Sequence, residues 1–348
     1  TVHRRGYRFI GELHEVEEAN PPKPSHATPK SHAVFEALAK PALLGRATES
    51  SQLHTAWQNC VNGQKQSVFV QAEAGFGKTT LLTHWLANLP AQNQLVVKVQ
   101  CLDQYGQSEA YQPFLEALVE LLTGTQQVVV LNHLKQYAPV WLAQLPQAYQ
   151  PAHDANLQAF GATAGRMLRE FADFLEQLSK QLPLIWVIED LHWSDAASIE
   201  LLATLIHRQQ PARLLLIGSL RPSHLQQQTR LKTLLGELAA AQKCQTLNLA
   251  ALNPNDLSTY LAEQLPPALH HAWAVDLFQR YTAGNPLFVF TALEHIKKNS
   301  QHTELSEITP AWLEQAISGG LKTLLEFKFS SLNPSEINLL QAASIAIS

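Results

Sequence analysis

The sequence predicts an α/β protein: a three-layer core around a parallel five-stranded sheet, then an all-helical domain and the start of a further module. Three observations predict it. A short apolar run at residues 68–70 passes through a loop with two glycines, Gly75 and Gly77, straight into a helical pattern from Thr79. A second apolar run, residues 184–188, ends in two acids, Glu189 and Asp190. Further apolar runs at 95–101, 214–220 and 244–249 alternate with helical patterns, as βα units of a parallel sheet require, and beyond Asn253 the pattern turns helical.

At 348 residues the chain should hold two or more domains. Its 46% hydrophobic content supports a real core, and a net charge of −4 argues against a general polyanion binder. No apolar run approaches the roughly 20 residues that span a bilayer. No secretory signal opens the chain, so no membrane partner is expected. Cys60, Cys101 and Cys244 show neither ligand spacing nor an even framework, which points to a reducing cytoplasm. Thr1 is not a start methionine and Ser348 stops within an apolar pattern, so the sequence reads as an internal piece of a longer chain.

In chain order, residues 1–9 read Thr-Val-His-Arg-Arg-Gly-Tyr-Arg-Phe, and Arg4, Arg5 and Arg8 suit phosphate contacts. The segment resembles the closing hairpin of an OmpR-type winged-helix DNA-binding domain, with Arg4 where that pattern has its first glycine. The resemblance implies that residues 1–11 are the tail of such a domain and that DNA is a partner of the parent chain, through the missing upstream part. Residues 12–40 open with Glu12, Glu15, Glu17 and Glu18 and go on to Pro21, Pro22, Pro24 and Pro29, the composition of an extended linker. The core is expected over residues 41–250.

Residues 72–79 read Ala-Glu-Ala-Gly-Phe-Gly-Lys-Thr between a strand and a helix, the setting of a phosphate-binding loop. Glycine lets backbone N–H groups approach a polyphosphate, and the helix start adds free donors and partial positive charge. Lys78 would bridge the β- and γ-phosphates, and the Thr79 hydroxyl would hold Mg²⁺. Gly75, Phe76, Gly77 and Thr80 complete the expected nucleotide-binding stretch. Ala72 stands where the pattern has its first glycine. Upstream, Leu43 and Leu44 precede Gly45 and Arg46. That turn resembles the opening motif of AAA-like signalling ATPases, which implies that Gly45 and Arg46 pack against an adenine. The acid expected after the arginine is replaced by Ala47, with Glu49 in the second acidic place.

After the strand at 95–101, residues 125–166 are Gln-rich and helical in places. A strongly amphipathic helix follows from Arg166, with Phe171, Phe174, Leu175 and Leu178 on one stripe. The strand that ends in Glu189 and Asp190 comes next. Ligands of a parallel sheet gather at the carboxyl ends of its strands, so these acids should face Lys78 and Thr79. One would coordinate Mg²⁺ and the other activate a water; Glu189 is placed on the metal side and Asp190 as the base, with the reverse open. The fifteen histidines show no pairing at ligand spacing.

Residues 189–195, Glu-Asp-Leu-His-Trp-Ser-Asp, are the most specific stretch in the chain. They resemble the STAND-type ATPase module of large bacterial transcriptional regulators. The resemblance implies that Arg221, at the tip of the 214–220 strand, reads the γ-phosphate. It also implies that the turn Gly284-Asn285-Pro286, on a helical lid spanning 251–320, presses Pro286 on the base. Residues 321–348 would begin another helical or winged-helix module. Such a chain would bind ATP or ADP with Mg²⁺, hydrolyse ATP slowly, and self-associate in response to nucleotide. Two alternatives remain: a ring-forming AAA-type remodeller, and a DNA-binding regulator with a degenerate, non-hydrolysing nucleotide site.

Overall fold

The computed structural model describes residues 45–90, 94–103, 109–149, 163–300, 309–330, 332 and 335–340. All of them belong to the unit Ala42–Ser348. The expected winged-helix hairpin (1–11) and linker (12–40) lie outside the described residues, as do residues 341–348 of the last expected module.

Helix α1 (Ala47–Val61) buries Leu53, Ala56, Trp57 and Cys60, one stripe at helical spacing. It feeds strand β1 (Gln66–Gln71), and the glycine loop leads into α2 (Lys78–Ala87). Strand β2 (Leu95–Gln100) is followed by α3 (Gln112–Thr123), α4 (Gln127–Tyr137), the single turn α5 (Pro139–Leu142) and the long α6 (Ala164–Gln181). Then β3 (Leu184–Glu189), α7 (Ala196–His207), β4 (Leu214–Leu220), α8 (Thr229–Ala240) and β5 (Gln245–Asn248) complete the core. The five strands run in the order β2-β3-β4-β1-β5, and every pairing is parallel.

Alternation along the strands splits the core into two layers. Phe69, Trp186, Ile188, Leu214 and Leu216 point to the face covered by α3, α6, α7 and α8. Val68, Val70, Ile185, Val187, Leu215 and Ile217 point to the face covered by α1 and α2. Strands β3 and β4 are buried on both faces, which is why they read as unbroken apolar runs. On the first face Phe171 of α6 sits among the rings of Phe114, Trp141, Phe174 and Trp186, at centroid distances of 5.3, 4.4, 5.9 and 5.6 Å. The Trp141 indole donates to the Met167 carbonyl at 2.8 Å, so its one polar atom is satisfied. Gly218 of β4 admits the segment after β3: a Cβ there would lie 2.3 Å from Leu191 Cδ1.

Beyond the sheet, α9 (Pro254–Gln264), α10 (Ala272–Thr282), α11 (Pro286–Ser300) and α12 (Pro310–Phe329) share a third core of Leu257, Phe278, Val289, Leu293, Leu313 and Ile317, with others. The boundary expected between residues 320 and 321 falls inside α12, which runs through it without a break. Gly319 and Gly320 lie inside this helix, and the reason they are glycine is close packing. A Cβ on Gly319 would lie 2.8 Å from His295 Cε1, and one on Gly320 would lie 3.2 Å from Ala292 Cα, both on α11. Among the described residues no helix is long and apolar enough to cross a membrane.

Candidate functional site

The glycine loop leaves the carboxyl end of β1 between the tips of β4 and β5, and the acids of β3 lie one strand further on. Gly77 caps α2 with φ +86° and ψ 24°, a left-handed conformation that glycine adopts without strain, and no side chain caps the helix. A Cβ on Gly77 would meet nothing within 4 Å. That open space lies at a helix N-terminus, where backbone donors and the helix dipole favour an anion. Gly75 has a different reason to be glycine. With φ +85°, its Cβ would lie 2.7 Å from Asn285 Oδ1 and 3.1 Å from Leu287 Cβ, so a side chain there would meet the turn before α11.

Ala72 needs no left-handed backbone, since it is absent from the positive-φ residues, and its methyl is buried in the core layer under α2. Alanine therefore stands in the first glycine's place without backbone strain. Lys78 is only 8% exposed, and its ammonium donates to the carbonyls of Ala72 at 2.6 Å and Glu73 at 3.2 Å. Burial holds its pKa below the ordinary lysine value. The nearby Arg221 adds to this, while Asp190, Glu73 and Glu189 oppose it. The Thr79 hydroxyl donates to Glu189 Oε2, a contact that joins the loop to the acidic tip 110 residues later. Thr80 lies half-buried in the first turn of α2. Glu73 accepts from the Ser223 N–H and hydroxyl at 2.9 and 2.7 Å, which lowers its carboxyl pKa and ties the loop to the segment after β4.

Asp190 takes a left-handed backbone (φ +54°), a conformation that Asp tolerates better than most residues. Its N–H donates to Ser219 Oγ at 3.1 Å. Its carboxylate accepts from Gln100 Nε2 at 2.9 Å and stands 3.9 Å from both Arg221 Nε and His192 Nε2. Glu189 is 3% exposed, with the Lys98 ammonium 2.8 Å from its Oε1. Lys78, Thr79, Glu189, Asp190 and Arg221 are thus brought to one place. Gln100, Lys98 and Ser219 join them and were not identified from the sequence. The available signal was the polar alternation Lys98, Gln100 within β2, but it acquires meaning only through the register that sets Gln100 opposite Glu189.

Gly45, Arg46 and Pro286 lie on the other flank of the loop. Arg46 is buried and donates to the carbonyls of Ala250 at 2.6 Å and Phe76 at 3.4 Å, while it pairs with Glu49 at 3.1 Å. Gly45, at φ +56°, lies against Asp256 of α9. Pro286 starts α11, and its neighbours make the contacts: Asn285 Nδ2 donates to the Ala74 carbonyl at 3.3 Å, and the Leu287 N–H to the Gly75 carbonyl at 3.1 Å.

His192 is 1% exposed, and neither of its ring nitrogens has a hydrogen-bond partner among the described residues. Burial pushes its pKa down to about 4; Asp190 opposes the shift, while Arg221, His224 and Lys78 add to it. Below pH 6.5 the unfolded chain takes up a proton that the folded imidazole refuses until about pH 4. Stability is therefore undiminished above 6.5 and falls by up to about 3 kcal/mol as pH drops through that window. Thermal melts across the window should show the fall in the native protein and a flatter acid limb in His192→Gln.

The site fits a magnesium-bound polyphosphate. Thr79 and Glu189 offer hard oxygen donors beside an open helix N-terminus and a buried ammonium. Among the described residues no group of three or more His, Cys, Asp or Glu could hold a metal ion. Comparison with known proteins agrees on fold and family. The chain is similar to a Walker-type ATPase of Pyrococcus abyssi (TM-score 0.50, 12% identity, covering 87% of this chain and 77% of that one). It is similar to the ORC2 protein of Aeropyrum pernix in its ADPNP–ADP complexes (TM-score 0.50, 15% identity, 83% and 72%). An uncharacterized protein of Rhizobium meliloti (strain 1021) is 24% identical over 273 residues, 74% of this chain, and the chain spans only 25% of that relative's length. The family model of the AAA ATPase domain matches residues 42–217, just over half of the sequence and all of the loop, its helix and the acidic tip, so the chain belongs to the AAA ATPase domain family.

Proposed function

We propose that the chain is a nucleotide switch: it binds ATP or ADP with Mg²⁺, hydrolyses ATP slowly, and passes the state of the nucleotide to its helical lid. The observation that carries this reading is the pair of bonds from Asn285 and Leu287 to the carbonyls of Ala74 and Gly75. Through them, a change in the phosphate loop acts directly on the start of α11. Lys78 would exchange its present carbonyl partners for phosphate oxygens, with Thr79 and Glu189 holding the metal. When bound, Mg²⁺ neutralises charge on the phosphate oxygens as the terminal bond breaks. Asp190, steadied by Gln100, takes the proton of the attacking water, and Arg221 meets charge on the terminal phosphate. Gly45, Arg46 and Pro286 border the base. The run at 189–195 and the basic segment at 1–9 support a setting in a STAND-type transcriptional regulator whose upstream winged helix binds DNA and whose assembly follows the nucleotide.

Purified chain should bind ADP in the micromolar range or tighter and turn over ATP on the order of 0.01 per second, the scale of switch-type P-loop proteins without a partner. Steady-state phosphate release measures this. Turnover at tens per second would overturn the switch in favour of a motor.

A further inference from the structure

Lys98 belongs to neither the loop, the acidic tip nor the lid. It lies on β2, where Val97 and Val99 point into the core and Lys98 and Gln100 take the alternate positions. Its ammonium is 2.8 Å from Glu189 Oε1 and donates to Thr83 Oγ1 at 2.9 Å. Thr83 is one turn beyond Thr79 on α2, and Thr79 donates to the other oxygen of the same carboxylate. Glu189 is thus met on one oxygen by a hydroxyl and on the other by a full positive charge. A carboxylate only 3% exposed would be costly without such a partner. The cation that neutralises it here is part of the chain.

We infer that Lys98 is a built-in counter-ion that sets how far nucleotide binding depends on a divalent cation. The inference rests on the reading of this pocket as a nucleotide site. Without metal, a bare Glu189 would repel an incoming polyphosphate; Lys98 cancels that repulsion, so the chain can hold a nucleoside diphosphate with no metal present. With metal, the lysine competes for the same carboxylate and weakens the metal's contribution. Lys98 is a positioning residue: it acts through Glu189 and touches neither substrate nor reacting atoms.

The test is the ratio of the ADP affinity in Mg²⁺ to that in EDTA, measured by calorimetry on the whole chain. In Lys98→Met the affinity in EDTA should fall about tenfold, the scale of one opposite charge at close range, while the affinity in Mg²⁺ holds or tightens, so the ratio rises. Lys98→Arg, which keeps the charge, should keep the native ratio. Lys98→Gln keeps a polar side chain here but no charge, and should raise the ratio as the methionine does; it carries the test if Lys98→Met does not fold. An unchanged ratio in a folded, uncharged variant overturns the inference alone. If the native chain binds no ADP in either medium, the nucleotide reading falls and takes this inference with it.

Discussion

Lys78→Ala is expected to lower ADP affinity by more than a hundredfold while the fold stays intact. The ammonium is buried and held on two backbone carbonyls, at 2.6 and 3.2 Å, where burial already presses it toward neutrality. A charge kept there adds little to folding, because the chain has paid desolvation for two modest bonds. A polyphosphate would give it charged partners, and a hydrogen bond of that kind contributes about 3 kcal/mol, which converts to more than two orders of magnitude in affinity. Titration calorimetry with ADP and a thermal melt separate the two effects. Equal affinity in both proteins would remove the site, and a collapsed melting temperature would make Lys78 a structural residue instead.

Phe171→Ala carries the largest expected cost in stability, about 3–5 kcal/mol, against a total of about 5–15 kcal/mol for a typical domain. Its ring is fully buried and touches rings from α3, α5 and β3 as well as Phe174 on its own helix. No single neighbour can swing in to fill the space, because each is held by others: Trp141 by its bond to Met167, Trp186 within a strand paired on both sides. Urea unfolding should show a lower midpoint with an unchanged slope. Trp186 precedes Glu189 on β3, so the cavity should also loosen the strand that carries the acids, and ADP affinity should fall with stability. A loss below about 1 kcal/mol would mean that the cluster repacks freely.

The fold was legible because a parallel sheet covered on both faces writes its inner strands as unbroken apolar runs. Residues 184–188 and 214–217 could hardly be anything else, and the acids and the glycine loop mark which ends of the strands carry polar groups. Strand order is not written in any local pattern. Nothing within residues 95–100 says that they lie beside 184–189, so Lys98 and Gln100 acquire meaning only when the register sets this strand against the one that carries the acids. The two loop glycines also look equivalent in the sequence. In the structure Gly77 borders open space, whereas Gly75 is pressed by Asn285, because the turn before α11 returns to the loop from more than two hundred residues away. The Gly319–Gly320 pair likewise has a reason no local pattern gives, since it lies at a close crossing of α11 and α12.

The strand order has a consequence for how the chain comes to be folded. β1 ends at Gln71, but the strands on its two sides, β4 and β5, end at Leu220 and Asn248. During synthesis a finished, strongly apolar segment must therefore wait, without hydrogen-bonded neighbours, while more than a hundred residues are added. Long-range parallel pairing of this kind is slow, and the waiting segment is a natural client for a chaperone. The loop after β1 is made before the strands on both its sides and takes its shape only after them.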